Sequence, residues 1–209
     1  MNVREYAWDC LCRIIIQKSY SHIDLDHTLK QAALNPKDKA LLTQLVYGTL
    51  QHSNLLKWEI SLHEKSKQTN PKLTILLMLS LYQMRFLDKI PHYAILNEAV
   101  TLAKKIEGNH AAKFCNGILR TLSKEKKEPQ PENFKTIYDY YQVLYNHPIW
   151  LIKMWETFYG KETTLKILQK NIIEAPLTIR LNPSLLSKEK LLENKDFIEA
   201  KFCENAFYY

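Results

Sequence analysis

Apolar residues recur at three- and four-residue steps along most of the chain, the spacing that lines side chains up on one face of an α-helix. Over residues 3–17 the set Ala7, Cys10, Leu11, Ile14 and Ile15 marks a first helix. A second is expected over residues 21–34, capped by Ser21 or Asp24 and stopped at Asn35-Pro36, because the residue before proline is pushed out of the α region. Asp38 is expected to cap a third through Leu41, Leu42, Leu45, Val46 and Leu50, and residues 53–63 continue with Leu55, Leu56, Ile60 and Leu62. Pro71 opens a helix whose ILLMLSLYQMRF run is apolar nearly all round, as a helix in the middle of a bundle must be. Ile90-Pro91 stops it. Ile95, Ala99, Leu102 and Ile106 form the next stripe, closed by Gly108 as a C′ residue, and a last helix carries Phe114, Ile118, Leu119 and Leu122. The pattern predicts a helical bundle with one core, complete by residue 123.

After that the pattern changes. Residues 123–131 (SKEKKEPQP) carry charges and two prolines with nothing apolar, so they mark a boundary. An aromatic run follows, Phe134, Tyr138, Tyr140, Tyr141 and Tyr145, and helical spacing returns over residues 148–159 and 162–173. Residues 177–181 alternate apolar and polar positions as a strand does, and Asn182-Pro183 ends them. A short helix at 187–193 and a second strand at 197–202 are expected before the closing Phe207-Tyr208-Tyr209. The fold class is therefore mainly α: a bundle (1–125), a linker and helical region (126–173) and the beginning of a small α/β domain (174–209). A strand-helix-strand fragment is too small to bury itself, so a chain cut inside a larger α/β unit is expected.

Composition adds direction. With 29 basic against 22 acidic residues the formal charge is +7, a field that favours encounter with polyanions and supplies sequence-independent RNA affinity. Only 4 glycines in 209 residues argue against a chain of hairpins and against a Gly-rich phosphate loop. No stretch approaches the roughly 18 apolar residues of a membrane span, and Arg4, Glu5 and Asp9 stand where a signal peptide would be apolar, so a cytoplasmic protein with no membrane partner is expected. Cys10, Cys12, Cys115 and Cys203 read as buried reduced thiols, since Cys10-x-Cys12 is a poor metal or redox spacing. No metal set, base or paired carboxylates stand out, and no catalytic residue is assigned.

The segment DKALLTQLVYG (38–48) and the longer pieces ILLMLSLYQMRFLDKIPHYAILNEAVTLAKK (75–105) and KFCNGILR (113–120) resemble the NusB family in residue types, order and spacing. HPIWL (147–151), running on to Trp155 and Tyr159-Gly160, is similar to the helix that follows a NusB-like domain in Sun-type (RsmB-like) ribosomal-RNA cytosine methyltransferases, and APLTIRLN (175–182) is similar to the strand opening their next domain. The resemblance implies a full-length enzyme that transfers a methyl group from S-adenosylmethionine to C5 of a cytosine in small-subunit ribosomal RNA. It implies for this segment an RNA-docking role beside an absent C-terminal methyltransferase domain, with no cofactor of its own. The rival readings are a stand-alone antitermination RNA-binding factor and a module that contacts only protein.

The resemblance puts Arg4 where NusB proteins carry a basic N-terminal segment; Arg13, Lys104, Lys105, Lys113 and Arg120 complete the candidate RNA-binding set. Two wider groups, His52, Lys57, Lys65, Lys67 and Lys72 around one loop and Lys104, Lys105, Lys113, Arg120, Lys124, Lys126 and Lys127 at the bundle's end, would together give a diffuse phosphate-contacting surface. Asn97-Glu98 and Asn116-Gly117 are expected to satisfy buried polar groups, and Gly48 and Gly117 to allow close helix approach. The tyrosines of 138–145 are expected to pack rather than stack on bases, and Trp150 and Trp155 to anchor a domain interface.

Overall fold

The computed structural model describes residues 2–63, 70–173 and 175–209. The chain divides into two compact units, Met1–Leu168 and Gln169–Tyr209.

The first unit opens with α1 (Val3–Ile15), started by a capping box in which Asn2 accepts from the Glu5 amide and Glu5 reaches back. α2 (Ser21–Gln31) has no side-chain cap. Asp24 is drawn instead to Ser19 and Arg13, and the chain leaves the helix at Ala32, extended and buried, three residues before the expected end. α3 (Pro36–Gln51) is capped by Asn35 rather than Asp38, because Pro36 takes the first helical position and Asn35 accepts from the Asp38 amide at 2.9 Å. α4 (Ser53–Ser61) follows after His52, and α5 (Pro71–Phe86), capped by Asn70, is buried at every position from Ile75 to Met84. It packs against α1, α3, α4 and α6, which is why its sequence is apolar all round.

α6 (His92–Lys124) bends at Glu107-Gly108, where Gly108 has φ +78°, and resumes at once, so the expected C′ glycine marks a break inside one long rod. Gly48 does allow close approach: a Cβ there would lie 2.0 Å from Tyr82 Cζ on α5. Gly117 does not, since it is exposed and nothing lies within 4 Å of where its Cβ would be. Cys10, Cys12 and Cys115 are buried, and burial pushes the Cys12 and Cys115 thiols up to about 12. Cys203 is exposed in a turn, not buried in a strand, because the chain turns back there.

Residues 125–136 cross the bundle with a 3₁₀ turn at Pro131–Asn133, and α7 (Ile137–Tyr145) packs on α4. Two devices hold this stretch. Arg85 on α5, paired with buried Glu59 on α4, donates Nη2 to the Leu122 and Glu125 carbonyls at 2.7 and 2.8 Å. Asn146, left-handed at φ +57°, accepts from Ser53 Oγ and the Asn54 amide, both at 3.1 Å, and donates to the Leu50 carbonyl at 3.0 Å. α8 (Ile149–Asn171) breaks at Gly160, φ +75°.

In the second unit β1 (Thr178–Arg180), β2 (Ile198–Glu199) and β3 (Ala206–Tyr208) form a sheet of order β1-β3-β2, antiparallel throughout, with Ile179 opposite Phe207 and Glu199 opposite Phe207, and α9 (Lys188–Leu192) lies between β1 and β2 in the chain. The expected second strand shrinks to two residues, and the chain reverses through Asn205 (φ +59°) into a central strand the sequence pattern did not announce. That strand gives the unit a small core of its own, Leu181, Leu191 and Phe207, which the expected strand-helix-strand would have lacked.

Candidate nucleic-acid interface

The candidate basic residues fall into three environments. Arg4 is a strut between α1, α5 and α6: Nε donates to Gln83 at 2.6 Å and Nη1 to Glu98 at 3.0 Å, with only 19% of the side chain exposed. Arg13 ties α1 to α2 through Asp9, Asp24 and Thr28 Oγ1 (2.8 Å). Burial alone would raise the Asp24 carboxyl, yet hydrogen bonds from Ser19 and Arg13 hold it below its ordinary value. Lys105 is mostly exposed but pairs with Glu5, whose carboxyl it holds low.

Lys104, Lys113 and Arg120 are exposed, and their side chains take no hydrogen bond or ion pair among the described residues. Lys113 and Arg120 share one face of α6 beyond the Gly108 bend, seven positions apart, and Lys124 four positions further on continues the same face. At about 1.5 Å rise per residue the row runs roughly 16 Å, with Gly117 exposed between Lys113 and Arg120. Lys124 stands outside the candidate six but within the wider basic group at the bundle's end, and the spacing 113, 117, 120, 124 puts it on the same helix face. Lys104 lies on the near side of the bend.

The other expectations divide. Lys65 and Lys67 lie outside the described residues; Lys57 and Lys72 are exposed; His52 is no surface cation, because it stacks on Phe86 (4.1 Å between ring centroids) and burial depresses its pKa. Glu98 satisfies Arg4 and Asn2, but Asn97 and Asn116 make no side-chain hydrogen bond among the described residues. The rings of Phe134, Tyr140, Tyr141 and Tyr145 pack in tilted contact with one another, and Trp58 lies 5.9 Å from Phe134. Trp155 packs on His147, while Trp150 is 67% exposed.

The fold and this surface can be set beside known proteins. The family model described as "NusB family" matches residues 1–124, more than half of the chain. The chain belongs to the NusB family. Beyond its NusB bundle, a model described as "Methyltr_RsmF/B-like, ferredoxin-like domain" matches residues 147–201. The chain is 35% identical over 196 residues to the probable ribosomal RNA small subunit methyltransferase B of Bacillus subtilis (strain 168), spanning 92% of this chain and 43% of that protein. It is 29% identical over 201 residues to the corresponding Synechocystis protein (93% and 44%) and 30% identical over 180 residues to the Escherichia coli O157:H7 protein (85% and 40%). This NusB-family chain thus spans less than half the length of these relatives. A solved structure described as "Crystal Structure of PH0851" shares the fold at TM-score 0.64 and 13% identity, over 99% of this chain and 48% of that one.

The described residues of this NusB-family chain offer no Rossmann-like site for S-adenosylmethionine. Such a site needs a Gly-rich turn between a strand and a helix, whereas Gly48, Gly108, Gly117 and Gly160 all lie within helices or at breaks inside them, and the sheet is short and antiparallel. Among the described residues no three His, Cys, Asp or Glu side chains come together as a metal site, and no helix is long and apolar enough to cross a membrane.

Proposed function

We propose that this chain is the RNA-docking region of a small-subunit ribosomal-RNA cytosine-C5 methyltransferase, and that Lys113, Arg120 and Lys124 are its main phosphate contacts. The observation that carries the reading is the row of unpaired, exposed cations on one face of α6. Phosphate contacts of this kind position RNA without reading its bases. Arg4 and Arg13 act in the same reading as internal struts, and Lys104 as an outlying contact. The methyl donor is bound outside this chain, in the part of the longer protein that this chain does not span, and the reaction takes place in the cytoplasm. A stand-alone NusB factor is the weaker reading, because residues 125–146 are fastened to the bundle and residues 147–201 match a methyltransferase-associated domain.

The test is binding of a fluorescently labelled small-subunit rRNA hairpin to the 209-residue chain. Lys113→Glu with Arg120→Glu should weaken binding by about a hundred-fold at moderate salt, since each step loses a contact and adds a repulsion. Unchanged affinity in the folded double variant would end the proposal.

A further inference from the structure

Between α4, the end of α5, residues 126–130 and α7 lies a cleft of 390 Å³, within the about 300–1,000 Å³ usual for small-ligand sites. Leu55, Phe86, Tyr140 and Leu144 give it apolar and aromatic walls. Its polar end is Arg85, 9% exposed, paired with Glu59, 3% exposed. That guanidinium is only partly used. Nε donates to the two Glu59 oxygens at 3.1 and 3.2 Å, and Nη2 donates to Glu59 and to the Leu122 and Glu125 carbonyls. Nη1 has no partner among the described residues. A guanidinium carries five N–H groups in a rigid fork, so two donors remain for the cleft that Arg85 lines. Solvent reaches Nη1, so an acceptor carried by a ligand in the cleft would take the place of water on a charged donor, a stronger bond than one between neutral groups. At the mouth Lys126 and Lys127 hold exposed ion pairs with Glu128 and Glu125, at 3.1 and 3.5 Å. Pairs of this exposure are weak and give way readily to a phosphate.

We propose that this cleft binds one unpaired nucleotide. Its base lies against Phe86 and Tyr140, a carbonyl or ring-nitrogen acceptor meets Arg85 Nη1, and its phosphate reaches Lys126 and Lys127. An aliphatic or phenyl side chain from a protein partner would fill the walls but leave the two Arg85 donors unmet, so the polar end favours the nucleotide. The site rests on the RNA-docking reading, yet none of its residues belongs to the α6 row, and its chemistry is stacking with one charged hydrogen-bond group rather than a line of phosphates.

The experiment is a titration of the isotope-labelled 209-residue chain with each of the four nucleoside monophosphates, followed by NMR. Saturable shifts should be confined to residues 55–59, 85–86, 126–130 and 140–144. Tyr140→Ala should weaken binding about ten-fold, the loss expected for one base-aromatic stack. Leu144→Trp, which fills the cleft, should abolish it, and Arg85→Lys, which keeps a cation beside Glu59 but removes Nη1, should weaken it with the fold retained. Binding should persist in the Lys113→Glu, Arg120→Glu double variant even where hairpin binding is lost, so the two readings fail separately. No saturable shift at these residues up to about 10 mM, equal affinity in folded Leu144→Trp, or a response to acetyl-phenylalanine amide as strong as to any nucleotide would each overturn the proposal.

Discussion

Gly48 and Gly117 stand on helices of the same bundle and should answer a single added methyl group in opposite ways. At Gly48 the methyl meets the Tyr82 ring at 2.0 Å, and that ring is 6% exposed and held in contact with His52 and Phe86, so it has little room to retreat. Overpacking of this kind costs about 1–3 kcal/mol, against about 1 kcal/mol gained when alanine replaces glycine in a helix. Gly48→Ala should therefore lower the unfolding free energy, by up to about 2 kcal/mol. At Gly117 the space is open and no positive φ is required, so Gly117→Ala should raise it by about 0.5–1 kcal/mol. Guanidinium denaturation of the two variants checks both signs. His52 adds a pH effect. Burial lowers its pKa from the ordinary 6.5; the folded state favours the neutral ring, so the stability it contributes is present above pH 6.5 and is lost as pH falls from 6.5 through the depressed native value. Glu5 and Asp24 are also depressed, but from 4.5 and 3.8, so their losses come at lower pH. His52→Phe keeps a ring on Phe86 and should flatten the decline just below pH 6.5, read from denaturation midpoints across that window.

Among the elements, the least obvious from the sequence is the strap that follows the bundle. A charged, proline-containing stretch reads as a linker because nothing in SKEKKEPQP can enter a core. What fastens it lies far away in the chain, at Glu59, Arg85 and Asn146, and no local pattern reports such pairing. The same reason hid β3: three residues after a turn gain a strand identity only from partners on both sides. The helices of the bundle were legible because each carries its own period, and α5 because burial on all sides removes polar positions altogether. Helix ends were less so: Asp24 reads as a cap but is taken by its tertiary partner Arg13, and Asp38 gives way to Asn35, three residues earlier, because Pro36 takes the first helical position. Asn146 provides a direct test of the strap. Asn146→Ala removes three hydrogen bonds and puts a poor residue at φ +57°; Asn146→Gly removes the bonds but suits the backbone. With about 0.5–1.5 kcal/mol per net hydrogen bond and about 1 kcal/mol for a non-glycine left-handed residue, the alanine variant should lose more stability than the glycine variant. Hydrogen exchange should quicken first in residues 131–146.

For the molecule as a whole, the decisive quantity is how affinity for RNA responds to salt, because it counts phosphate contacts without knowing which bases are bound. On single-stranded RNA each contact contributes about 0.7 to the slope of log affinity against log salt. Replacing Lys113, Arg120 and Lys124 together by alanine should therefore reduce that slope by about 2, and Lys104→Ala alone by about 0.7 if the RNA extends past the bend at Gly108. Arg4→Met and Arg13→Met should behave differently. Their guanidiniums are already committed to Glu98 and Gln83, or to Asp9 and Asp24, so removing them should cost stability while leaving the slope of the surviving folded protein nearly unchanged. This separates two classes of cation that look alike in a sequence: those that hold the fold and those that face the polyanion. A slope that fell with Arg4 or Arg13 and not with the α6 row would move the RNA to the α1 side of the bundle. A slope that fell with neither would mean that the +7 charge acts only as a diffuse field.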